Sequence, residues 1–108
     1  MMEVLDQVDV LVSATAPYPA PKHTDLTATF ENADDVRSRF FVRRSYTGCY
    51  PLASLPAISL PGGFTSNNLP IGLQLGARPF AEETILRAAH AYEQATSWHQ
   101  RVAPGAQL

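Results

Sequence analysis

Residues 54–77, "SLPAISLPGGFTSNNLPIGLQLGA", lie within a region that has no charged side chain between Arg44 and Arg78. A run this poor in charge calls for burial. Pro56, Pro61 and Pro70, with Gly62, Gly63 and Gly72, interrupt it before the roughly 20 apolar residues of a membrane span accumulate. Two short strands remain, "AISLP" at 57–61 and "IGLQLGA" at 71–77, separated by "GGFTSNNLP". Asn67 and Asn68 tolerate the positive φ of tight turns, so the stretch reads as a β-hairpin over about 57–77. Its second strand alternates Ile71, Leu73 and Leu75 against Gly72, Gln74 and Gly76. One face is apolar, and the other is nearly bare where a helix or a neighbouring backbone can approach closely.

A helix over about 81–97 follows, running up to Trp98. Ile85, Ala88, Ala89, Tyr92 and then Ala95 or Thr96 recur at helical spacing, and Glu82 and Glu83 favour its N-terminal end. Upstream, "DVLVSA" at 9–14 is a continuous apolar run with β-branched content. Without polar alternation it reads as a strand buried on both faces, as in a parallel or mixed sheet between helices. Pro17, Pro19 and Pro21 then impose an extended connection, residues 23–44 read as a loop or short helix facing substrate, and Pro104-Gly105 end the pattern in a tail. The class is α/β.

At 108 residues there is room for one domain or for one piece of a larger one. The balance of 45% hydrophobic and 17% charged residues is that of a globular chain rather than a disordered one. A net charge of -2 supplies no field for polyanions, and the Arg37, Arg39, Arg43 and Arg44 cluster is preceded by Asp34 and Asp35. Nucleic-acid and membrane partners are therefore not expected. Cys49 is the single cysteine, which excludes an internal disulfide and suits a reducing compartment. "MMEVLDQVDVLV" carries Glu3, Asp6 and Asp9 without a basic leader, so it does not read as a signal peptide, and a cytoplasmic chain is expected.

Catalytic chemistry is hard to assemble from these residues. A hydrolase needs a nucleophile, a base and oxyanion donors, yet Lys22 is the sole lysine, and neither Ser-x-x-Lys nor Gly-x-Ser-x-Gly spacing occurs. His23, His90 and His99 stand apart with no Cys/His/carboxylate cluster, so no metal is assigned. Cys49 reads as a small buried hydrophobe, and Tyr92 and Trp98 as packing residues. Gly62-Gly63 leads into a turn and strand rather than a helix, so it lacks a phosphate cradle, and no cofactor is expected.

"DVLVSATAPYPAPK", followed by "LPAISLPGGF", "LPIGLQL" and "RPFAEETILRAAHAYEQAT" in that order, resembles the C-terminal portion of the amidase signature family. That family includes bacterial amidases and the A subunit of the glutamyl-tRNA amidotransferase. The resemblance covers most of the chain apart from about residues 24–43. It implies the C-terminal part of a mixed-sheet fold that hydrolyses C–N bonds through a Ser, bridging Ser and Lys triad. In the family the triad and its Gly/Ser-rich signature lie N-terminal to the matched segments, and no such run occurs here. No catalytic residue can be carried over. The chain is expected to be an incomplete catalytic unit, inactive alone, that meets a small-molecule amide only within a complete enzyme.

Relatives show Thr-x-Pro-x-Asn-Leu-x-Gly-x-Pro where this chain has Thr47, Cys49, Pro51, Leu52, Ser54 and Pro56. Because that segment borders the family's substrate pocket, the resemblance implies Arg44, Tyr46, Thr47 and Tyr50 as pocket-lining candidates. Arg44 is the nearest counterpart of an acidic residue that reads the substrate amine in the amidotransferase branch, which argues against glutamine. Ala81 replaces a common Asp N-cap, a loss of about 1 kcal/mol. The alternative reading is a non-catalytic module. A strand and a hairpin left uncovered would then pair with a complementing N-terminal segment, another chain or a second copy.

Overall fold

A computed structural model of the chain describes residues 1–22, 32–42 and 46–103. The hairpin organises the fold. Strand β2 (Ala57–Phe64) pairs antiparallel with β3 (Pro70–Gly76), and β1 (Leu11–Ala14) pairs antiparallel with the other side of β3, giving the order β1-β3-β2. Strand β2 runs longer than the sequence suggests, because Gly62 is accommodated as a bulge between Pro61 and Gly63 and pairing continues to Phe64, whereas β3 keeps its expected length one residue earlier. The turn closes through Thr65: its amide donates to the Leu69 carbonyl and its Oγ1 accepts from the Leu69 amide. Of the two asparagines, Asn68 takes the positive φ, at 60°.

Helix α4 (Glu82–Ala95) lies across the face formed by Ile58, Leu60 and Leu75. Its buried residues Ile85 and Ala89 join Leu60, Leu75 and Ala77 in one core, flanked by Val10, Ala88 and Tyr92. The apolar stripe read from the sequence is the face that packs, except that Ala95 is exposed. Ala81 occupies the N-cap and makes no side-chain cap hydrogen bond. After the helix a 3-10 turn (Trp98–Gln100) folds back onto the hairpin, with Trp98 tilted against Phe64 at 6.2 Å and the Arg101 guanidinium 3.8 Å above the Phe64 ring.

The opposite sheet face carries a second, smaller core of Leu5, Tyr50 and Leu55, with Leu11 against it. Leu5 comes from α1 (Met2–Leu5), a short helix that the acidic N-terminal pattern did not announce. Tyr50 comes from α3 (Cys49–Leu52), which follows a 3-10 turn (Tyr46–Gly48). Between them in sequence, α2 (Ala33–Val42) begins where Asn32 Oδ1 accepts from the Asp35 amide, an N-cap in the region read as a loop or short helix.

The α/β class, with the hairpin followed by a helix, is as expected, and every strand pairing among the described residues is antiparallel. One expectation changes: the 9–14 strand is not buried on both faces, since its exposure alternates and Val12 is 64% exposed. The reason is placement. Helix α4 covers β2 and β3, so the side of β1 that shares the helix face has little above it among the described residues. Residues 104–108, expected as a tail, and residues 23–31, in the stretch expected as a loop or short helix, lie outside the described residues.

Candidate functional site

The site is built where α3 ends. Helix α3 closes in a Schellman motif, in which the Leu55 amide donates to the Tyr50 carbonyl and the Ser54 amide to the Pro51 carbonyl. The hydrophobic contact that accompanies such a cap is Tyr50 with Leu55. Ser54 holds the left-handed position, φ 53°. This cap turns the chain sharply into β2 and presses the Tyr50 ring onto the sheet. A Cβ at Gly76 would overlap the Tyr50 ring, so the bare face of β3 receives an aromatic side chain rather than a helix. Further along the strand, Gly72 leaves room in the same way for Thr15, whose atoms would lie 2.6 and 2.8 Å from a Cβ.

Register sets what lies beside Tyr50. Ser13 on β1 and Ser59 on β2 both pair with Gln74, so three polar side chains form one row across the sheet. Ser59 Oγ and Thr15 Oγ1 share a 2.6 Å hydrogen bond. Gln74 is 3% exposed, and its Oε1 has no hydrogen-bond partner among the described residues. Two openings flank Tyr50. A cavity of about 860 Å³ on the β1 side is walled by Tyr46, Cys49, Tyr50, Leu52 and Val12. A cavity of about 290 Å³ on the β2 side is walled by Thr47, Tyr50, Leu55, Ser59 and Gln74.

Of the sequence candidates, Tyr46 is half exposed on the larger cavity, Thr47 half-buried on the smaller one, and Tyr50 buried between them. Arg44 lies outside the described residues. Burial raises the Tyr50 phenol above its ordinary value; neighbouring Ser13 partly offsets this and Cys49 adds slightly to it. The phenol is therefore neutral at physiological pH. Cys49 is exposed rather than buried, because its place at the start of α3 turns the thiol outward and back, where Sγ donates to the Tyr46 carbonyl at 3.0 Å. His90 and His99 are exposed on α4 and the turn beyond it, remote in sequence from the Tyr50 wall. Among the described residues no group of His, Cys, Asp and Glu could hold a metal, and no helix is long and apolar enough to cross a membrane.

The sequence reading missed Ser13, Gln74 and Ser59 as a group. Gln74 was visible as the one polar side chain between two glycines, but only strand register places the serines on either side. The row offers hydrogen bonds, and among the described residues neither cavity is lined by a Lys or His that could take a proton from these serines.

Comparison with known proteins places this arrangement. The chain is 43% identical over 102 residues to the glutamyl-tRNA(Gln) amidotransferase A subunit of Geobacter metallireducens, covering 94% of this chain and 20% of that protein. It is 42% identical over 98 residues to the A subunit of Thermodesulfovibrio yellowstonii, covering 91% and 19%. With the A subunit of Thermosynechococcus vestitus the figures are 45% over 96 residues, covering 89% and 18%. The chain thus spans about a fifth of the length of the curated relatives it matches. The Amidase family model matches residues 1–86, a span that takes in β1, the Tyr50 wall, the whole hairpin and the start of α4, and the chain belongs to the Amidase family.

Proposed function

We propose that this chain is the C-terminal portion of an amidase-type hydrolase acting on amide C–N bonds, an incomplete catalytic unit that supplies sheet scaffold and one wall of the substrate pocket. The observation that carries this reading is the family match over residues 1–86, which coincides with the segment that builds the Tyr46, Thr47 and Tyr50 wall. These residues, with Arg44, are the proposed pocket lining. Arg44 in place of an acidic residue favours a substrate other than glutamine. The nucleophile and its lysine belong to the N-terminal portion of a complete enzyme, and that portion is the proposed partner, in the cytoplasm.

Purified alone, the chain is expected to leave aryl and alkyl amides intact. Mixed or co-expressed with the Geobacter relative lacking its matching C-terminal fifth, it is expected to restore amide turnover. Turnover by the chain alone, abolished in Ser13→Ala or Ser59→Ala, refutes the proposal.

A second reading, a non-catalytic module that pairs with another chain or with itself, is favoured by the exposure of Val12 (64%) and Leu52 (89%) beside a β1 edge that has no paired strand among the described residues. A sharp monomer in sedimentation that binds no hydrophobic dye counts against it.

A further inference from the structure

We propose that Gln74 is a specificity-determining residue that reads a neutral primary carboxamide at the floor of the smaller cavity, an assignment that rests on the amidase reading and adds a residue to it. Gln74 sits on the central strand, on the face turned away from α4, and is 3% exposed. Its Oε1 has no hydrogen-bond partner among the described residues. Leaving such an atom unmatched is costly, and native proteins carry few of them, so a donor is expected at this point. A Val or Thr would suit the strand better. The amide therefore has a use that strand formation does not explain.

The chemistry of the donor follows from the walls. Among the described residues Thr47, Tyr50, Ser59 and Gln74 are the polar lining, and none of these four is charged, since the Tyr50 phenol stays protonated. An ammonium group would lose its hydration with no counter-charge in this lining, and a carboxylate, which has no donor for Oε1, could meet Gln74 only through its NH₂ and would be equally uncompensated. A primary carboxamide offers N–H to Oε1 and its own C=O to a neighbouring hydroxyl. Rotating the Gln74 amide by about 180° exchanges acceptor for donor, and a primary carboxamide answers either orientation. At about 290 Å³ the cavity lies at the small end for ligand sites, which suits a head group rather than a large substrate.

The test is a titration of the full chain, ¹⁵N-labelled, with propionamide, N,N-dimethylpropionamide and propionate, following the Gln74 side-chain NH₂ resonances. Propionamide is expected to give a saturable shift, with the other two at least tenfold weaker. Gln74→Leu is expected to remove the binding while Ser66→Ala, on the hairpin turn, keeps it. Equal binding of the dimethyl amide, preference for propionate, or no saturable shift at Gln74 overturns the proposal. So does a shift that arises only when the N-terminal portion of a relative is added without amide, because the donor is then a polypeptide group. Turnover on complementation without selective amide binding defeats the Gln74 assignment alone. Selective binding without turnover defeats the hydrolase reading and leaves the site.

Discussion

Ser54 carries a backbone conformation its side chain disfavours. A residue with a Cβ in the left-handed region costs about 1–2 kcal/mol relative to glycine, part of which glycine returns as entropy on unfolding. At φ 53° in a Schellman cap, Ser54→Gly is expected to stabilise the chain by about 0.5–1 kcal/mol, read as a higher urea midpoint at unchanged m-value. Tyr50 makes a second prediction, in pH. Its folded phenol holds its proton more tightly than the unfolded one, so its contribution is complete below about pH 10 and is lost as pH rises through the folded value. Tyr50→Phe is expected to flatten the alkaline limb of the stability curve above about pH 10 and leave its shape unchanged near neutrality. An equally steep limb in the variant would assign the loss to other groups.

Among the elements, the hairpin is fastened at its far end by the turn after α4. Trp98 is 37% exposed and packs on Phe64, with Arg101 stacked on the same ring. Trp98→Ala is expected to cost about 1–3 kcal/mol, less than a fully buried tryptophan, and Arg101→Ala about 0.5–1 kcal/mol. Hydrogen exchange separates this from a general loss of stability: the amides near the β2-β3 turn should gain exchange first, before those of β3 opposite α4. Helix α4 needs no such fastening, since Ile85 and Ala89 are buried in the main core and compensate for the uncapped start at Ala81.

Across the whole molecule, one sheet carries two unequal cores. The α4 side is closed over β2 and β3, whereas β1 keeps Val12 open and α3 keeps Leu52 open. Exposed apolar side chains beside a strand edge are the expected boundary of a sheet that continues into other polypeptide. Val12→Lys separates folding from assembly. It should change the stability of the isolated chain by no more than about 0.5 kcal/mol, since Val12 has little above it, yet lower amide turnover in the complementation assay severalfold. Unchanged turnover would show that the β1 face is not part of the junction.

The sequence by itself determined the hairpin and the helix that follows it, and it carries the ordered motifs in which the family resemblance lies. The hairpin and the helix are local: they follow from period-2 and period-3.6 patterning and from turn chemistry within a few residues. Tertiary structure decided what no local pattern encodes. The expected double burial of β1 depended on where α4 lies, and the partner of the bare β3 face turned out to be the Tyr50 ring over Gly76, brought there by the cap at Ser54, well upstream in the chain. The Ser13, Gln74 and Ser59 row exists only through strand register, which joins residues far apart in the chain and leaves no periodic trace in any one segment.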